Sequence, residues 1–214
     1  MKINKRTEFI IFLIILALFG LGIYFYPQMP SLMASHWNSQ GEADGYLPRF
    51  WGLFIIPLIS VFLALLFHFI PKIDPLQENV VKFRPYFDNF VLLILLFLFY
   101  LYLLTLVWNL NYRFDIRRYL LPFLALLFYY CGILIEKAKR NWFIGIRTPW
   151  TLSDDKVWAK THHLGGKLFR ICSLLALLGW LIPQIAFYLV ILPVVLFSFF
   201  LVVYSYYQYR NLNI

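Results

Sequence analysis

Charged side chains are what this chain has least of. Only 14% of its 214 residues are Asp, Glu, Lys or Arg, against roughly a quarter in soluble domains. Residues 171–209 form a run of 39 without one acidic or basic side chain. Hydrophobic residues reach 62%, more than a water-soluble fold of this length has interior to hide. These proportions exclude a soluble globular domain and require lipid around the long runs. Cysteine is also scarce. Cys131 and Cys172 both lie inside apolar runs, where they read as small hydrophobes rather than as a disulfide pair. No HExxH, phosphate-loop or nucleophile-elbow motif is present.

What is present is a series of spans. A ~30 Å hydrocarbon core needs about 20 apolar helical residues. Four runs qualify directly: 9–26, 50–70, 90–110 and 119–135. The long C-terminal run is too long for one crossing, and Pro183-Gln184 offers its break, giving 168–182 and 185–207. The expected fold is therefore an all-α integral membrane bundle of about six transmembrane helices, with five as the fallback. The basic segment 1–6 resembles the start of a signal peptide. However, the 18-residue run after it exceeds the usual core of ~7–15 and ends in Tyr24, Phe25, Tyr26 and Pro27. It reads as a retained helix or signal anchor. The chain reads as a single membrane domain in three parts: 1–70, 71–136 and 137–214.

The formal charge of +9 would suggest nucleic acid in a soluble protein. Its distribution points elsewhere. With the N-terminus inside, fifteen Lys and Arg fall on the cytoplasmic side and four (Arg49, Arg113, Arg117 and Arg118) outside. This is the positive-inside bias. It predicts both termini in the cytoplasm of a cell-membrane protein, with the lipid bilayer and its anionic headgroups as partner and no nucleic acid. No ionisable residue lies at the middle of a proposed span, which disfavours a proton-coupled transporter.

Specificity must then reside mainly in two polar segments. The external one, 27–49, contains His36, Trp37, Asn38, Gly41 and Asp44, and its turn-forming groups predict a small hairpin or ordered cap. His36, Glu42 and Asp44 have no ligand spacing that matches a known metal pattern. The internal one, 137–167, carries Arg147, Pro149, Trp150, Trp158 and His162. Ser153 is the expected N-cap of a short interfacial helix over 154–164, with Asp154 and Asp155 at its positive end. Gly165-Gly166 offers a stop or a joint before the fifth span. Trp142, Trp150 and Trp158 are expected to anchor this helix at the membrane interface. His162 and His163 are adjacent, so they point about 100° apart on a helix and do not readily serve one ligand. Arg147 is expected to bridge loop carbonyls, a carboxylate or lipid phosphate.

The run from Trp142 to Ser153, with Val157-Trp158 and Thr161-His162 after it, resembles the signature of the SdpI immunity family. The first span with His36-Trp37-Asn38, Gly41 and Asp44-Gly45 resembles the uncharacterised domain often found N-terminal to it. The resemblance implies a bacterial multi-pass protein that gives immunity to a membrane-active peptide toxin. It also implies signal transduction, by holding a soluble regulator at the membrane. On this reading the external loop meets a peptide toxin and the internal loop a soluble regulator. The chain is not an enzyme and needs no cofactor. A small transporter or flippase-like protein is the alternative.

Overall fold

A computed structural model describes residues 4–212; Lys2, one of the basic residues counted above, lies outside them. The elements are α1 (Lys5–Phe25), β1 (Leu32–Trp37), β2 (Ala43–Pro48), α2 (Arg49–Ile73), α3 (Gln77–Lys82) and α4 (Arg84–Asn109). They continue with α5 (Ile116–Lys137), α6 (Pro149–Ser153), α7 (Asp155–Leu181) and α8 (Ala186–Arg210). Six of the helices are long and apolar enough to cross a membrane. The chain is a multi-pass membrane protein, an all-α bundle bearing one two-stranded hairpin. Pro183 lies between α7 and α8, where the long uncharged run divides.

The bundle has two packed centres. Leu18 of α1, Leu53 of α2, and Phe87, Val91, Leu95 and Tyr102 of α4 are buried together. Leu121 and Ala125 of α5, Ala176 of α7, and Ala186 and Val190 of α8 form the second. Many other apolar side chains, such as Phe12, Phe62 and Phe199, point outward. In a water-soluble protein that would be a liability, but on spanning helices it is the lipid-facing surface.

Two local expectations are corrected. Gly165-Gly166 do not stop a helix: α7 runs unbroken through them for 27 residues, so the fifth span is not short. Their role lies across the helix interface. A Cβ on Gly166 would stand 2.8 Å from the Gly132 carbonyl of α5, and one on Gly132 would stand 2.7 Å from the Gly166 carbonyl. Two backbones in such contact exclude side chains, and dispersion over that close seam replaces the lost propensity. The N-cap of α7 is Asp154, whose Oδ1 accepts from the Lys156 and Val157 N–H groups at 2.7 and 2.9 Å. Ser153 instead ends α6 and donates to the Pro149 carbonyl.

Candidate functional site

The polar segments occupy opposite ends of the bundle, a hairpin end and a loop end. At the hairpin end, β1 and β2 pair antiparallel from Leu32–Pro48 to Trp37–Ala43, with irregular register around His36. Asn38 Oδ1 accepts from the Gln40 and Glu42 N–H groups, both at 3.0 Å, closing the turn. Gly41 takes φ +85° there, a conformation that costs glycine nothing. His36 Nδ1 lies 2.5 Å from Asp44 Oδ1. Trp37 packs edge-on against Trp108 of α4, with ring centroids 5.5 Å apart. The five residues read from the sequence therefore belong to one small structure.

Two residues that sequence reasoning did not assign to the hairpin hold it in place. Asn109, at the end of α4, accepts from the Ala34 N–H at 2.8 Å and donates to the Ala34 carbonyl at 3.0 Å. Its amide thus mimics a neighbouring strand at one residue of β1. Arg117 forms a forked pair with Asp115, both contacts 2.9 Å. Its Nη1 donates to the Ser39 carbonyl at 2.9 Å and to the Pro183 carbonyl at 3.2 Å. One guanidinium thereby joins the hairpin tip, the start of α5 and the α7–α8 turn. Partial burial pulls the Asp115 carboxyl upward, but the Arg117 side-chain and backbone bonds, with the charges of Arg117 and Arg118, hold it below the usual range.

At the loop end, Asn141 organises the chain after α5. Its Oδ1 accepts from the Phe143 and Ile144 N–H groups, and its Nδ2 donates to the Lys139 and Ile144 carbonyls. Asp74, at the end of α2, accepts the Trp142 N–H at 2.9 Å. Arg147 donates to the Trp142 carbonyl at 2.8 Å. Thr148 and Thr151 form a capping box on α6, and the Thr148 hydroxyl reaches Ser205 of α8 at 3.0 Å. Pro149 opens α6, and Trp150 packs against Tyr206 of α8.

Trp158 is not an interfacial anchor. It is buried, donates its indole N–H to the Ala138 carbonyl at 2.9 Å and stacks on His162 at 3.8 Å. Trp142 is the exposed tryptophan of the three. His162 accepts the Ile146 N–H on Nε2, so its Nδ1, 2.8 Å from the Trp158 carbonyl, carries the proton. Both ring nitrogens are occupied, which leaves His162 no lone pair or proton to offer a substrate. His163 points away to Glu136, which also pairs with Arg170. The Asp154 carboxyl is held below its usual range by the Val157 N–H bond, joined by the Lys156 N–H and the charges of Lys156 and Arg140.

Beside this motif lies a polar cleft of about 360 Å³, bounded by Asn79 and Lys82 of α3, Glu136 of α5, Lys139, and Asp155 and Trp158 of α7. Among the described residues, no group of three His, Cys, Asp or Glu side chains is placed to hold a metal ion. The loop end is thus a folded polar surface around a buried Trp–His stack.

Residues 137–205 match the SdpI/YfhL protein family. That match covers about the C-terminal third of the chain. Ahead of it, residues 13–61, which include the hairpin, match a domain of unknown function, DUF1648. The whole chain is similar to the immunity protein SdpI of Bacillus subtilis strain 168. The two are 28% identical, over 97% of this chain and 98% of that protein. No solved structure matches the chain. The buried stack, the capping box and Asn141 all fall within the segment that matches the SdpI/YfhL family. Arg117 lies outside both matched segments yet bonds residues in each, Ser39 and Pro183.

Proposed function

We propose that this protein protects the membrane that contains it against a membrane-active peptide toxin, with the hairpin end facing outward. The observation that carries the reading is the end-to-end similarity to a protein named for immunity. The distribution of Lys and Arg supports the orientation, with both termini in the cytoplasm of the cell. The hairpin supports the choice of face. It offers an exposed His36–Asp44 pair and an indole, Trp37, whose buried N–H has no hydrogen-bond partner among the described residues. His36, Trp37, Asn38, Gly41 and Asp44 form the toxin-facing surface on this reading.

The loop end is the proposed contact for a soluble regulator. Arg147 and Pro149 are exposed there, and Trp150, Trp158 and His162 hold the surface from behind. Its cleft presents two lysines and two carboxylates, which suits a polar protein surface.

The reading is tested by survival. A toxin-sensitive bacterium lacking its own immunity gains resistance when it expresses the chain, and loses it when Trp37 and Asp44 are both alanine at equal abundance. Full protection by that double variant removes the hairpin from the mechanism.

A further inference from the structure

A second cavity has no part in either loop. It is an open-sided groove of about 660 Å³ between α4, α5 and α7, near the hairpin end. Tyr100, stacked on Phe123, lines it with Leu126 and Trp180, and Arg118 and Tyr119 at the start of α5 line its end nearer the hairpin. Leu126, Tyr119 and Trp180 are each about half exposed. On spanning helices that exposure is to lipid, and Tyr and Trp near the helix ends mark the headgroup level. The groove therefore opens into the leaflet on the hairpin side.

Its cation has no direct partner within the chain. Arg118 makes no side-chain hydrogen bond or ion pair among the described residues, and the nearby carboxylate, Asp115, is already forked to Arg117. One helical turn below, Pro122 has no N–H, so the i→i−4 bond that would satisfy the Arg118 carbonyl is absent. The rim thus pairs a directly unpartnered guanidinium with a carbonyl that lacks its i+4 donor, over a lining that is aromatic and aliphatic. The Tyr100 hydroxyl is spent on the Tyr119 carbonyl at 2.9 Å. The walls have little else to satisfy a peptide backbone, which argues against an extended peptide in hydrocarbon.

We propose that this groove holds one anionic phospholipid of the hairpin-side leaflet, with its phosphate on Arg118 and an acyl chain between Phe123, Leu126 and Trp180. A phosphoglycerol headgroup suits the rim best, because its hydroxyls can donate to the Arg118 carbonyl. The proposal is independent of the toxin reading.

The test is native mass spectrometry of the full chain titrated with phosphatidylglycerol or phosphatidylcholine of the same acyl chains. The wild type is expected to retain one phosphatidylglycerol at concentrations where phosphatidylcholine is lost. Arg118→Gln is expected to weaken phosphatidylglycerol binding roughly fivefold, the worth of one interfacial cation, and phosphatidylcholine binding less, so that selectivity falls. Leu126→Trp, which fills the groove, is expected to abolish retention. Arg113→Gln is expected to behave as the wild type, because that side chain lies over the Trp108 ring outside the groove. Equal retention of the two lipids by the wild type would overturn the proposal, as would unchanged selectivity in Arg118→Gln. Dimer masses that Leu126→Trp removes would overturn it too, in favour of a second copy.

Discussion

Ile146 donates its backbone N–H to Nε2 of His162 across 3.0 Å, so a loop residue closes on a ring carried one helix away. The contact brings Gly145 against the same ring. Gly145 holds φ +118°, and a Cβ built on it runs into His162 Nε2. Gly145→Ala is expected to cost about 1–3 kcal/mol from backbone strain alone, with more from displacing the ring. Thermal unfolding in detergent measures this. A variant as stable as the wild type would show that the loop does not close on His162.

Asn109 replaces a missing strand neighbour at Ala34. Asn109→Ala leaves a buried N–H and C=O without partners and is expected to destabilise by about 2–4 kcal/mol. Hydrogen exchange localises the effect: the amides of Met33, Ala34 and Tyr46 should exchange faster, while those in α7 stay protected.

Asp88 and Arg84 form an ion pair at 2.6 Å near the start of α4, both side chains about nine-tenths buried. Asp88→Asn leaves the guanidinium buried without its counter-charge. The expected loss is about 3–5 kcal/mol, read as lower thermal stability and lower membrane abundance.

Arg117 ties the hairpin tip to Asp115 and Pro183. The folded Asp115 carboxyl lies below its unfolded value, so its contribution to stability is present above that value. It is lost as pH falls through the folded one. Stability should therefore hold between neutral pH and pH ~5 and weaken below about pH 4. Arg117→Ala should lower stability at neutral pH and flatten that acid limb, as followed by unfolding at a series of pH values.

The spans were legible because lipid makes only one demand on sequence, a long uncharged run, and Pro183 broke the longest one. Turn chemistry at Asn38 and Gly41 made the hairpin legible too. The brace was not. Asn109 and Ala34 are 75 residues apart, and Arg117 and Ser39 are 78 apart, so no local pattern joins them. Gly165-Gly166 misled for a similar reason. Local rules read paired glycines as a helix stop, whereas their purpose depends on Gly132 in another helix. Trp158 looked interfacial because burial beneath Ala138 is a tertiary fact.

The central claim is protection, and dose–survival curves test it most directly. Cells of a toxin-sensitive bacterium expressing the chain are challenged with a panel of membrane-active peptides beside cells making an unrelated six-span protein. The account predicts a shift to higher lethal dose for at least one peptide, lost in the Trp37→Ala, Asp44→Ala variant at equal abundance. Superimposed curves across the panel, with the chain correctly inserted, would contradict it.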